Sequence, residues 1–154
     1  MLERISPEVA ARIIARDEKV GDAWHAEYPF EDELVPLRML AQQPNPHPVF
    51  TLYLVRDQDG LAVGGLGFFG PPDETGTVGI GYGLIPAARG RGLASDAVMH
   101  AVRIAAEHGA RRIIADTDLT NLPSQRVLLK AGFSETHRDA EKAFYELDLR
   151  HRSA

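Results

Sequence analysis

The stretch "GLIPAARGRGLASDA", residues 83–97, decides how this sequence is read. It joins an apolar run typical of a β-strand to an alanine-rich run with helical spacing, through a turn of alternating arginine and glycine. The first N–H groups of a helix have no partner within it, and the helix dipole adds partial positive charge there. A cationic, glycine-rich turn at this place predicts an anion site, best suited to phosphate or pyrophosphate.

Other interpretations of the turn stay open at the level of its residues. A solvated basic turn that happens to contain glycines fits the tetrapeptide Arg89–Gly92 about as well, because short glycine motifs often match by chance. The segment "GRGLAS", residues 90–95, roughly has the shape of a dinucleotide-binding loop from an oxidoreductase, but no repeating βαβ pattern surrounds it. A Walker-type phosphate loop is excluded, because no Gly-Lys-Ser/Thr follows.

The regions on either side of the turn predict one mixed α/β domain. Before it, three apolar runs separated by "DQDG" and "PPDETG" indicate an antiparallel meander: residues 50–55, 61–69 and 77–85. After it, the pattern predicts a helix over 92–108, a strand over 111–118, a helix over 121–133 and two strands to 149. Upstream of the meander we expect helices over 7–16 and 32–41.

The whole-chain composition narrows the class of protein. The 154 residues carry a formal net charge of −5, which argues against a general nucleic-acid binder. The chain has no cysteine, which excludes disulfides and thiolate metal sites and fits the cytoplasm. Its charged start is unlike a signal peptide, and no apolar run is long enough to cross a membrane. Its histidines show no ligand spacing, so we predict no metal site.

The pattern Arg89-x-x-Gly92-x-Ala94, after "VGIGYGLIP" and before an alanine-rich helix, resembles the acetyl-CoA motif of the GNAT superfamily of N-acetyltransferases. The segment "ADTDLTNLPSQRVLLKAGF", residues 115–133, resembles the family's next strand and helix. The likeness is greatest to the branch of ribosomal-protein N-terminal acetyltransferases. It implies an α/β (α+β) fold with a mixed, mostly antiparallel sheet flanked by helices, in which a splayed central strand pair forms the CoA cleft.

The resemblance also implies how the chain is divided and which residues hold CoA. Residues 1–48 would form the acceptor side, 49–133 the acetyl-CoA core and 134–150 the last strands. The turn amides would hold the pyrophosphate, the strand backbone would pair with the pantetheine arm, and Ser124 would lie near the sulfur. The implied CoA-binding residues are Gly83, Leu84, Ile85, Arg89, Gly90, Arg91, Gly92, Leu93, Ala94, Asn121 and Ser124. For Asn121 and Ser124, a capping role at the helix start is an alternative or an addition.

The implied reaction is direct acetyl transfer to an amine, which must first lose a proton, because an alkyl amine has a pKa of about 10.4. Two positions depart from the family pattern: Gly79 stands where many relatives have a Glu base, and Leu128 where many have a Tyr acid. Acids elsewhere must then serve, and segment 23–33 supplies several among aromatic residues. The predicted catalytic residues are Glu27, Asp116 and Ser124, and the predicted substrate-binding residues are Trp24, His25, Glu27, Tyr28 and Tyr82.

The acceptor class stays open between a protein N-terminus, a lysine and a small-molecule amine. The resemblance also admits a homodimer. A CoA-binding module without turnover is a second hypothesis, supported only by the missing Glu and Tyr. Release of CoA thiol across a panel of amines separates the two.

Overall fold

A computed structural model describes residues 2–150 of the chain. Its helices are α1 (Pro7–Ile14), α2 (Leu34–Ala41), α3 (Leu93–Glu107) and α4 (Leu122–Lys130), with 3-10 turns over Glu31–Glu33 and Pro86–Ala88. Its strands are β1 (Leu2–Arg4), β2 (Leu52–Arg56), β3 (Ala62–Phe68), β4 (Thr77–Leu84), β5 (Arg112–Asp118), β6 (Ser134–Arg138) and β7 (Lys142–Asp148). No helix in this range has the length and apolar character needed to span a bilayer.

The strands form one sheet in the order β1-β2-β3-β4-β5-β7-β6. All neighbours are antiparallel except β4 and β5, which are parallel. These two strands pair only over residues 77–79 and 112–114 and then separate, whereas β4 stays paired with β3 as far as Leu84. The sheet therefore opens at its centre, and the C-terminal half of β4 has one unpaired edge.

The helix starts follow the capping signals of the sequence. Ser6 Oγ accepts a hydrogen bond of 3.1 Å from the amide of Val9 at the start of α1. Asn121 Oδ1 accepts one of 3.1 Å from the amide of Ser124 at the start of α4. Both are typical N-caps. The helix α3 begins differently, because Gly92 occupies its N-cap position and offers no side chain to its first amides.

Side chains alternate along β4, so its two faces carry different residues. At the glycines 79, 81 and 83, the Cα–H bond that would carry a side chain points to the side on which α2 and the turn before it lie. The side chains of the residues between them point to the other side, where α3 packs against α4 and the Tyr82 hydroxyl contacts Ser124. The two faces of this one strand therefore border two different environments.

The predicted fold class is confirmed: the sheet is mixed and mostly antiparallel, helices flank it, and its central strands splay apart. Two details differ from expectation. The helix predicted from residue 32 starts as the 3-10 turn and becomes α-helical only at Leu34, which places Pro36 in its first turn, where proline is tolerated. The strand β1 was not predicted, because three residues, two of them charged, are too short to show an alternating pattern.

Candidate active site

The turn between β4 and α3 presents a row of unpartnered backbone amides. Gly90 and Gly92 both have a φ of 79°, in the left-handed region that favours glycine. Within the described part of the chain, the amides of residues 90–95 have no hydrogen-bond acceptor. They lie at the start of a 15-residue helix, whose dipole makes this end partially positive. The turn therefore fits an anion.

The two arginines of the turn are placed differently. The amide of Arg89 donates to the carbonyl of Pro86 at 3.2 Å, and its Nε donates to the carbonyl of Leu84 at 3.2 Å. The Arg89 guanidinium lies 5.3 Å from the centre of the Phe30 ring. Arg91 is exposed. Arg89 is thus engaged with the protein, and Arg91 is the arginine whose charge is free to approach an anion on the turn.

The unpaired edge of β4 leads from the opening in the sheet to this turn. The amide of Ile85 donates to the carbonyl of Val63 at 2.8 Å, so the odd-numbered residues direct their backbone groups toward β3. Because backbone groups alternate along a strand, the amides of Tyr82 and Leu84 face the opened side. Of the three backbone positions expected here, Leu84 therefore has its amide on the open edge, whereas Gly83 and Ile85 are turned toward β3.

The start of α4 lies across the opening from β4. The hydroxyl oxygens of Ser124 and Tyr82 are 2.8 Å apart, and the Tyr82 hydroxyl also lies 3.3 Å from the Ser124 carbonyl. Burial raises the pKa of the Tyr82 hydroxyl, although its hydrogen bond with Ser124 opposes this, and the group stays protonated at neutral pH. The two hydroxyls thus join the walls of the opening, and Asn121, the cap of α4, lies one turn before them.

A cavity of about 810 Å³ lies on the other face of β4. Paired glycines of two strands form its floor, with Gly65 opposite Gly83 and Gly67 opposite Gly81. The helix α2 and residues 44–47 contribute walls. The volume falls within the range of about 300–1,000 Å³ that is usual for small-molecule sites. The apolar lining includes Val35, Met39, Leu40, Phe50, Phe68 and Phe69.

Two carboxyl groups enter this cavity from the turn before α2. Asp32 lies over Gly83, where a Cβ would come within 2.8 Å of Oδ2, and Glu33 lies over Gly65, where a Cβ would overlap Oε1. Glu33 is only 7% exposed, and burial, followed by the charge of Asp32, raises its pKa to about 8. Burial also raises the pKa of Asp32, while the nearby Arg89 lowers it. Glycine at both floor positions is what admits the two acids.

The residues predicted to bind the acceptor divide into three groups. Trp24 and Tyr28 are buried in the hydrophobic core. His25 and Glu27 form a local turn, in which the amide of Glu27 donates to His25 Nδ1 at 3.0 Å. Among the described residues, Tyr82 borders the large cavity although its hydroxyl reaches Ser124 on the other side of β4, and the other four do not border it. The acids that reach the cavity belong instead to the turn that follows this segment.

Asp116 and the two positions that depart from the family pattern, Gly79 and Leu128, have different surroundings. Asp116 borders a smaller cavity of about 250 Å³, and its carboxylate is 3.0 Å from Lys142 Nζ. Gly79 is covered by the ring of Phe69, because a Cβ there would lie 2.9 Å from Cδ2. Leu128 is fully buried. Apolar groups therefore occupy both positions where the resemblance leads one to expect catalytic side chains.

The sequence pattern did not single out Glu33 from the other acids of its segment. A signal was present in the glycines: β3 contains Gly64, Gly65 and Gly67, and β4 has glycine at every second position from 79 to 83. Two glycine-rich strands paired in this register leave a floor without side chains. What the sequence does not show is which acid lies on that floor, because the contact joins segments about 30 residues apart.

Comparison with known proteins identifies the class to which this architecture belongs. Residues 1–134 match the acetyltransferase (GNAT) domain family, so the chain belongs to that family. The uncharacterized N-acetyltransferase YjdG of Bacillus subtilis (strain 168) is 31% identical over 128 residues, which cover 80% of this chain and 76% of YjdG. The protein is accordingly an acyltransferase that moves the acetyl group of acetyl-CoA to an amine.

Solved structures share the fold. The ribosomal-protein-S5-alanine acetyltransferase of Vibrio fischeri superposes with a TM-score of 0.68 at 16% identity, over 99% of this chain and 94% of that one. A spermidine N-acetyltransferase chimera from Vibrio cholerae and hSSAT gives 0.67 at 15% identity, over 97% and 96%. The acetyltransferase yncA of Salmonella typhimurium, with its cofactor acetyl-CoA, gives 0.57 at 21% identity, over 67% and 66%. At these identities the likeness shows the fold alone.

Proposed function

We propose that acetyl-CoA binds along the unpaired edge of β4, with its pyrophosphate on the amides that begin α3. The observation that carries this is the row of amides over residues 90–95, which have no partner within residues 2–150, at the end of a strand edge that no other described strand pairs with. Within that row, Gly90, Arg91, Gly92, Leu93 and Ala94 are the predicted CoA ligands that the turn supplies. Because Arg89 is engaged with Leu84 and Pro86, its part is to shape the turn.

The pantetheine arm would pair with the amides of Tyr82 and Leu84, as an added strand pairs with a sheet edge. Asn121 would face the arm from the opposite wall with its side-chain NH₂, since its Oδ1 is used for the cap. Ser124, supported by the hydroxyl of Tyr82, would lie close enough to protonate the departing thiolate. These roles place the thioester beside residues 81–83, where the opening and the large cavity share the same strand.

The acceptor we propose is a single amine carried on an apolar body. Apolar side chains dominate the cavity walls, and three of them are unusually exposed: Val35 at 61%, Met39 at 63% and Phe69 at 73%. Exposed apolar groups gathered around one cavity indicate an apolar ligand. Its charged end would meet Asp32 and Glu33, at the floor beside β4. This lining favours an apolar amine or a peptide N-terminus with apolar side chains over a polyamine, which would need further acids.

Titration of CoA into protein variants tests the cofactor proposal. Gly92→Glu places a carboxylate against the diphosphate, and the CoA affinity measured by calorimetry is expected to fall about 100-fold or more. Gly109→Glu is the matched control, because Gly109 is also an exposed glycine with positive φ and open space around it, at the other end of α3. Both variants carry the same backbone strain, of about 1–2 kcal/mol, but only one lies on the turn.

Equal CoA affinity in the two variants would contradict the assignment of the turn. Both variants are expected to lose thermal stability, Gly109→Glu somewhat more because its carboxylate lies at the negative end of α3, whereas only Gly92→Glu is expected to lose CoA affinity. The roles of Glu27 and Asp116 as bases stay predictions, which the pH dependence of the rate in Glu27→Gln and Asp116→Asn would test. The surroundings of these two acids give a base role little support, since Glu27 is exposed on a loop and Asp116 is paired with Lys142.

A further inference from the structure

One side chain of the large cavity has a buried polar atom that nothing satisfies. Glu33 is 7% exposed, and its Oε2 has no hydrogen-bond partner among the described residues. Leaving a buried polar atom unpaired is costly, on the order of 1–3 kcal/mol and more for a charged group. Because Oε2 is closed off from the cavity, the oxygen that a ligand can meet is Oε1, over Gly65, and a cation there would offset the cost of ionising this carboxyl. We propose that Glu33 is the residue that accepts the proton of the acceptor amine.

The fold holds the Glu33 carboxyl close to the part of β4 at which the thioester is proposed to lie. Glu33 lies over Gly65, which pairs with Gly83, so the carboxyl is one strand away from the edge along which the cofactor is proposed to bind. Asp32 lies directly over Gly83. An amine that enters between α2 and the glycine floor therefore meets these acids just before it reaches the β4 backbone at residues 81–83. The inference rests on the proposed function for the position of the thioester.

The proton balance of the step is as follows. The amine nitrogen, held as an ammonium by the Glu33 carboxylate, gives one proton to that carboxylate and so exposes its lone pair. The nitrogen forms a bond to the thioester carbon, and the carbon–sulfur bond breaks with its electron pair going to sulfur. The second proton of the nitrogen passes to the departing thiolate, through the Ser124–Tyr82 hydroxyls or a water molecule, as the amide forms. Glu33 then returns its proton to solvent.

The surroundings of Glu33 suit a base that works on an alkyl amine. A carboxyl with an ordinary pKa near 4.3 is about six pKa units less basic than such an amine, whereas burial narrows this difference to about two. The charged and titratable groups around it are Asp32, which raises its pKa further, and Tyr28, whose own pKa is raised by burial and by Glu33. The charge of Arg56 acts to lower the pKa of Tyr28, and the charge of Arg89 acts to lower that of Asp32, in each case against the larger effect of burial.

Kinetics of an isosteric variant test the proposal. Hexylamine serves as the acceptor, because its pKa of about 10 lies well above that of Glu33. In the natural protein, kcat/KM is expected to rise with pH through about 8, as Glu33 ionises. Glu33→Gln is expected to lower kcat about 100-fold or more and to remove this limb of the profile. Glu31→Gln, a change of the exposed acid two residues earlier, is expected to leave both unchanged.

A second measurement does not depend on turnover. In the free protein, the side-chain carboxyl resonance that disappears in Glu33→Gln is expected to titrate near pH 8 in carbon-detected NMR. The proposal would be overturned if the Glu33 carboxyl titrated at the ordinary pKa of a glutamate. It would also be overturned if Glu33→Gln kept the rate of the natural protein and the same rise of kcat/KM with pH. A different result would contradict the proposed function: no binding of CoA to the natural protein, or equal binding to Gly92→Glu. Glu33→Gln is expected to bind CoA with unchanged affinity, so the two proposals can fail independently.

Discussion

The two faces of β4 border sites that are built in different ways. On the opened side, the groups that can hold a ligand are backbone amides, those of residues 90–95 and of the unpaired strand edge. On the glycine side, the strand contributes only a floor, and the groups that can act are the carboxyls of Asp32 and Glu33. One strand thus offers backbone hydrogen-bonding groups to one ligand, and its glycines leave space for the other.

This difference determines how each site can be damaged. A backbone site keeps its hydrogen-bond donors in nearly every variant, so it is lost only when a new side chain obstructs it, as at Gly92. A site built from carboxyls is lost by exchanging one oxygen for an NH₂ group, with the shape unchanged. The proposed cofactor site should therefore tolerate most substitutions, and the proposed acceptor site should respond to isosteric ones.

Removing the Glu33 carboxyl is expected to have the largest effect on stability, and its size should depend on pH. The folded protein holds this proton up to about pH 8, while the unfolded chain releases it near 4.5. Unfolding between these values releases a proton, so the contribution of Glu33 to the free energy of unfolding is greatest below pH 4.5 and is lost as pH rises to 8. The full change is on the order of 5 kcal/mol.

Denaturant unfolding of the natural protein and Glu33→Gln, at intervals from pH 5 to 9, measures this contribution. The variant should gain in relative stability as pH rises and reach a constant advantage above pH 8, because other titrating groups cancel in the difference. The same comparison with Glu31→Gln should give a constant difference at all pH values. A constant difference for Glu33→Gln as well would mean that this carboxyl is not desolvated in the folded state.

A charge on the apolar wall is expected to have the next largest effect. Met39→Asp should lower kcat/KM for hexylamine by about tenfold to 100-fold, because it replaces apolar surface at the mouth of the cavity by a hydrated carboxylate. The same variant should favour 1,6-diaminohexane, which has the same chain with a second ammonium. Val20→Asp, at a fully exposed apolar residue outside the cavity, is the control. Equal rates with both amines in the natural protein would contradict an apolar acceptor.

Most of the helices and strands around the proposed cofactor site could be predicted from the sequence, because their determinants are local. A strand, a turn with two glycines and an alanine-rich helix follow one another within residues 77–107, and each is specified by its own residues. The cap at Asn121 and the buried strand β5 before it are equally local. The orientation of the Arg89 side chain was not predictable, since its partners Phe30 and Leu84 come from different elements.

The acceptor side was predicted only in outline, because its residues are brought together by packing. Trp24 and Tyr28 are residue types that often line a substrate site, but here their side chains are buried in the hydrophobic core. Glu33 lies five residues beyond Tyr28 in the chain. Its burial depends on Gly65 in β3, which belongs to no recognisable sequence motif. Sequence patterns report burial poorly for a charged residue, because acids are almost always exposed.

The smallest effect is expected where the two sites meet, at the hydroxyl pair of Tyr82 and Ser124. Tyr82→Phe keeps the ring and removes one hydrogen bond, so kcat should fall about threefold to tenfold, which corresponds to roughly 1 kcal/mol, with CoA affinity unchanged. Tyr53→Phe is the control, because it also removes a buried hydroxyl hydrogen bond, to the carbonyl of Val49, on a strand away from the opening.

Comparison of Tyr82→Phe with Ser124→Ala shows whether the two hydroxyls work as one unit. If the proton reaches the thiolate through both, the double variant should be no slower than the slower single variant, because either change already interrupts the path. Additive losses would mean that the hydroxyls act independently, with Tyr82 positioning the strand and Ser124 contacting the sulfur. A loss confined to KM for CoA would assign both to binding, and the opened side of β4 would then depend on its backbone alone.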